Sequence, residues 1–152
     1  MAGFVRWGVS SAGMGEAEYT HLTYDLTIGW ARALARINPA MTFIYVSGAG
    51  TGGKAMWARV KGRTEAELMA LFPSAYMIRL AALWPKHGEL PRARWARIGY
   101  SVLWPLLPLM HAIAPNMVIT TEELGRAFIR AARHRPSKPV PSTRDLRAPG
   151  AS

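Results

Sequence analysis

Apolar and polar residues alternate along this chain in two rhythms, one of period two and one near 3.6. "FVRWGVSS", Phe4 to Ser11, is a short apolar run that gives way to glycine and serine, which predicts a strand entering a loop. From Glu16 to Arg36, "EAEYTHLTYDLTIGWARALAR", the apolar positions Tyr24, Ile28, Ala31, Leu34 and Ala35 recur at helical spacing. Asn38-Pro39 ends that helix, because a residue preceding proline is pushed out of the α region. "MTFIYVSG", Met41 to Gly48, is β-branched and aromatic from Thr42 to Val46 and predicts a strand buried on both faces. "KAMWARVKGRTEAELMALF", Lys54 to Phe72, predicts a second helix stopped by Pro73, and "SAYMIRLAAL", Ser74 to Leu83, a further strand. "TTEELGRAFIRAARH" predicts a last amphipathic helix, with Thr120 or Thr121 as N-cap and early glutamates facing the positive end of the helix dipole.

The order strand, helix, strand, helix, strand, irregular apolar segment, helix predicts an α/β protein with a parallel sheet joined by right-handed crossovers. Residues 1–135 form the predicted domain, and 136–152, "SKPVPSTRDLRAPGAS" after Pro136, a flexible basic tail. Three strands make a narrow sheet with two exposed edges, which predicts pairing with a second copy or with a missing N-terminal half. The stretch Ile98 to Thr121 contains no Asp, Glu, Lys or Arg and is long enough to span a bilayer. Pro105, Pro108 and Pro115 break a regular helix there, and His111 and Asn116 are polar. Three readings stand for it: a buried or lid-like segment over a substrate pocket, which is favoured, peripheral membrane contact through 98–121, and a membrane span.

Composition narrows the class. The 152 residues suffice for one domain and one core, and half are hydrophobic, which excludes wholesale disorder. Nineteen Lys and Arg against nine Asp and Glu leave a net charge of +10, which favours anionic partners. The arginines cluster at 92, 94 and 97 and again from Arg126 onward. No aromatic-rich strand motif or zinc pattern accompanies them, so no specific nucleic acid is expected. Cysteine is absent, which removes disulfides, thiolate metal sites and a cysteine nucleophile. His21, His87, His111 and His134 show no metal-ligand spacing, so no metal is expected. With no apolar signal core near Met1, the expectation is a cytoplasmic protein, with membrane association through 98–121 as the alternative.

"VSGAGTGGKAMWARVKGRTE", Val46 to Glu65, carries the candidate chemistry and admits two readings. Gly48, Gly53 and Lys54 approximate a Walker A phosphate loop. Ala55, however, lacks the hydroxyl that would ligate magnesium, and neither Asp25 nor Asp145 ends an apolar strand. In the other reading Ser47 ends a strand, and Trp57 and Lys61 stand four apart on one helix face, both able to point into a cleft. Ser47 could equally satisfy backbone groups at a strand end, and Lys61 could pair with Glu65 on an exposed helix face.

The ordered pieces "GVSSAGMGEAEYTHLTYDLTIGWARALAR", "MTFIYVSGAGT", "MWARVKGRTEAELM", "AYMIRLA" and "ITTEELGRAFIRAA" resemble the second half of a short-chain dehydrogenase/reductase of the NAD(P)-dependent epimerase/dehydratase type. The resemblance implies a partial Rossmann-like fold lacking its first strands, NAD or NADP as cofactor and a small-molecule substrate. It also implies roles: Ser47 and Lys61 as catalytic residues, with Gly8, Val9, Ser10, Lys61, Arg79 and Leu80 beside the cofactor. Position 57, where the family keeps a tyrosine, is tryptophan, whose indole N–H is a donor only and cannot shuttle a proton. No glycine fingerprint precedes Gly8, so the resemblance implies a truncated protein of weak or absent activity.

Overall fold

The structure is a computed structural model that describes residues 2–5, 11, 13–80, 82–84, 118–133 and 138–141. Three strands, β1 (Ala2–Val5), β2 (Thr42–Gly48) and β3 (Ala75–Leu80), form a parallel sheet in the order β1-β2-β3. β1 and β2 are joined through α1 (Glu16–Thr20), a π-helical turn (His21–Asp25) and α2 (Leu26–Ile37). β2 and β3 are joined through α3 (Met56–Leu71). The protein is therefore α/β with a small parallel sheet and flanking helices, as the alternation of patterns predicts.

Register and period two explain the layers. Phe43 pairs with Ala75, Tyr45 with Met77 and Ser47 with Arg79 on one face, while Ile44, Tyr76, Ile78 and Leu80 turn to the other. On the first face Phe43, Tyr45, Ala75 and Met77 pack against Ile28 and Ala31 of α2 and Leu68 of α3. Phe43 and Phe72 stack there with ring centroids 4.7 Å apart and planes 12° from parallel. The helical positions Tyr24, Leu34 and Ala35, read from the pattern, pack against this cluster.

The second face is covered by α4 (Thr121–Arg133), whose Leu124, Ala127 and Ala131 meet Ile44, Tyr76 and Ile78. α4 begins in a capping box: the Glu123 amide donates to the Thr120 hydroxyl at 3.2 Å, and the Thr120 amide donates to the Glu123 carboxylate at 2.8 Å. Thr120, not Thr121, is thus the N-cap.

Two features depart from the sequence reading. The strand expected over 74–83 divides: β3 ends at Leu80, and β4 (Ala82–Trp84) pairs in parallel with β5 (Val118–Thr120) in a second sheet. The pattern predicts irregular chain over 118–120, because a three-residue strand carries too little periodicity to announce itself. Within the segment read as a tail, Lys138–Pro141 runs along the outer edge of β3. The Met77 amide donates to the Pro139 carbonyl at 2.8 Å and Val140 packs against the first core cluster. The remainder of that segment, and 98–117 of the apolar stretch, lie outside the described residues. Among the described residues no helix is long and apolar enough to cross a membrane.

Candidate functional site

β2 leaves the sheet at Gly48, and the loop that follows has to turn tightly to start α3. Gly50 and Gly52 supply left-handed turns, each with φ of 88°. α3 then approaches so closely that a Cβ on Gly62 would lie 3.0 Å from the Gly52 Cα. The loop amides are used internally: Gly52 N donates to the Ala58 carbonyl, Gly53 N to the Gly50 carbonyl, and the Thr51 hydroxyl to the Gly48 carbonyl. Donors turned inward cannot cradle a phosphate, which agrees with the rejection of the Walker A reading.

The face of α3 that meets this loop carries Trp57, Lys61 and Glu65 at successive turns. Trp57 covers the end of β2: a Cβ on Gly48 would lie 3.4 Å from its ring and one on Gly50 3.6 Å. Trp57 therefore packs over the loop. One turn on comes Lys61, half-buried. After another turn Glu65, only 1% exposed, reaches the sheet surface.

There Glu65 joins the polar end of the sheet face whose middle is Phe43, Tyr45 and Met77. The Ser47 hydroxyl donates to Glu65 Oε1 at 2.5 Å. Arg79 Nε donates to both carboxylate oxygens at 3.2 Å, and Arg79 Nη2 donates to Oε2 at 2.6 Å. Ser47 and Arg79 are register partners, so one carboxylate arriving from above bonds both. The hydrogen bonds to Glu65 raise Arg79 above its ordinary range, with burial opposing.

Lys61 is shifted the other way. Burial lowers its pKa, and the nearby Glu65 charge opposes that only in part. The pairing with Glu65 that helical spacing suggested is absent, because Glu65 is turned to the sheet. Among the described residues no hydrogen bond or ion pair reaches the Lys61 ammonium. Beneath this cluster Tyr45 is buried with no hydrogen-bond partner for its hydroxyl among the described residues. Burial, Tyr19 and Glu65 raise its pKa, and Thr64 nearby opposes weakly, its own hydroxyl being committed to the Val60 carbonyl.

The expected site residues are thus distributed as follows. Ser47, Lys61 and Arg79 stand on one side of the sheet at the carboxyl ends of β2 and β3; Glu65 bonds Ser47 and Arg79, and Lys61 stands one turn before it on α3. Leu80 turns to the opposite face and packs against the α4 cluster, while its carbonyl accepts from Ala49 N at 2.8 Å. Gly8, Val9 and Ser10 lie outside the described residues. Glu65 is the residue the sequence reading did not place at the site, although Arg79 within an apolar strand signalled that a buried anion must face it. No group of three or more potential metal ligands occurs among the described residues. Comparison with protein-family models and with curated proteins gives no match for the chain.

Proposed function

We propose that the chain is a short-chain dehydrogenase/reductase-like protein of the NAD(P)-dependent epimerase/dehydratase type, built on a partial Rossmann-like sheet and of weak or absent activity. One observation carries this reading. Ser47 ends a parallel strand and Lys61 stands on the following helix, on the same side of the sheet, at the carboxyl rim where open α/β sheets take their ligands. A nicotinamide cofactor bound there would exchange hydride with a substrate carbon.

The residues present fit part of that task. A half-buried ammonium without an acceptor among the described residues suits the hydroxyls of a ribose, which Lys61 would hold as a donor. Ser47 gives its proton to Glu65, so its oxygen only accepts, and it would orient a substrate hydroxyl. Trp57 stands at the position of the proton-transferring group and supplies no titratable proton, which accounts for weak or absent turnover.

Isothermal titration of the protein with NADH and NADPH tests the reading, with weak saturable binding of one of them expected. Trp57→Tyr is expected to gain measurable dehydrogenase activity. If neither dinucleotide binds, the cofactor assignment is withdrawn. A second reading, a noncatalytic binding module on the same scaffold, draws on the closed Ser47–Glu65–Arg79 network, which by itself holds α3 to the sheet. Dinucleotide binding with a silent Trp57→Tyr variant favours that second reading.

A further inference from the structure

Lys61 is a charged group whose natural partner has been taken. Glu65, four residues on, accepts from the Ser47 hydroxyl, from Arg79 Nη2, and from Arg79 Nε, whose single hydrogen is shared between both carboxylate oxygens. Both carboxylate oxygens are engaged in this way, and among the described residues no hydrogen bond joins Glu65 to Lys61. A half-buried ammonium with no acceptor among the described residues carries a cost that an incoming oxyanion removes. Arg79 adds a second donor set: it holds Glu65 through Nε and Nη2, its side chain is 38% exposed, and among the described residues nothing bonds its Nη1. Glu65 balances Arg79, so among the described residues the Lys61 charge is left over. Its position follows from topology. α3 runs antiparallel to β2 and β3, so stepping back one turn from Glu65 to Lys61 moves about 6 Å toward the carboxyl ends of the strands. The Trp57 ring over Gly48 and Gly50 closes the next turn with an apolar wall.

We propose that Lys61 and the outward edge of Arg79 form an oxyanion site for a phosphate group at the carboxyl rim of β2 and β3. The proposal goes beyond the dinucleotide reading, since a phosphate monoester is sufficient to fill it. The Lys61 ammonium donates to two phosphate oxygens, and Arg79 Nη1 donates to a third without releasing Glu65.

The test is a titration of the full chain, with lysine side chains carbon-13 labelled, against inorganic phosphate at low ionic strength and neutral pH. The Lys61 Cε resonance is expected to move and saturate at millimolar phosphate, while exposed Lys54 does not follow it. Lys61→Met, which keeps the apolar stem, is expected to weaken phosphate binding by about tenfold or more. Parallel titrations with glycerol 3-phosphate and with phosphatidic acid vesicles, both phosphomonoesters, separate a free ligand from a lipid headgroup, and saturation of the Lys61 resonance with either supports the site. Failure of NAD(H) and NADP(H) to bind leaves it standing. A Lys61 resonance that does not saturate, or a Lys61→Met variant with unchanged phosphate affinity, overturns it whatever the dinucleotides do.

Discussion

Arg79 supplies two of the three donor groups that reach the buried Glu65 carboxylate, and that asymmetry makes the two partners unequal under mutation. Arg79→Met strands a carboxylate that is 1% exposed, with only the Ser47 hydroxyl for company. Removing one member of a buried pair costs about 3–5 kcal/mol. The Arg79 side chain is 38% exposed, so its removal admits some water, and the lower end, about 3 kcal/mol, is expected. Glu65→Leu is milder, because the freed guanidinium can turn outward into solvent. That variant loses the Ser47 hydrogen bond, about 1 kcal/mol, partly offset by the apolar side chain that fills the space. The double variant Glu65→Leu/Arg79→Met contains no stranded charge. It is expected to cost about 1 kcal/mol, against the roughly 4 kcal/mol of simple addition. Urea unfolding followed by far-ultraviolet circular dichroism measures all three, with an unchanged m-value confirming that the same surface is exposed. Additive costs, or an Arg79→Met no worse than Glu65→Leu, would refute the view of Glu65 as a buried anion held by Arg79.

Other consequences follow from single contacts. Gly62→Ala places a methyl 3.0 Å from Gly52 Cα and 3.2 Å from Gly52 N, both backbone, so a loss of about 1–2 kcal/mol is expected in thermal unfolding despite the helix-propensity gain of about 1 kcal/mol. Lys61→Met probes pH dependence. The folded-state pKa of Lys61 lies below the usual 10.5, so the unfolded chain binds more protons between the two values and stability rises with pH across that window. The variant lacks that rise. It is therefore expected to be more stable than the parent at neutral pH, with the margin shrinking toward pH 10.5. Buried Tyr19 and Tyr45 act alike in both proteins and cancel in the difference. Phe72→Ala removes a fully buried ring stacked on Phe43 and should cost about 3–5 kcal/mol in denaturant unfolding. The Met77 amide, bonded to the Pro139 carbonyl, is expected to be protected from hydrogen exchange in the parent and to exchange rapidly once residues 138–152 are removed.

Local pattern located most of the described elements. The apolar rhythm at Tyr24, Ile28, Ala31, Leu34 and Ala35 placed the face that α2 buries, and the unbroken run from Met41 to Gly48 placed the central strand, because burial on one face or two writes its period into the sequence. Boundaries held where the backbone chemistry is local, as at Asn38-Pro39 and at Thr120 with Glu123. Contacts between residues far apart in the chain were not legible. Spacing alone suggested that Glu65 pairs with Lys61 on an exposed helix face. Only the arrival of Arg79 from β3 beside Ser47 of β2 turned that carboxylate inward and left the lysine without it.

In the same way, nothing in a three-residue stretch marks Val118–Thr120 as a strand until Ala82–Trp84 lies beside it, and nothing in "SKPVP" announces a seat against Met77. The sequence by itself determined the elements, the faces they bury and the residue types available at the rim, since these depend on neighbours within a turn or two. The tertiary structure alone decided which charge meets which, because the strength of an ion pair depends on a separation and a degree of burial that exist only once β2, α3 and β3 are assembled.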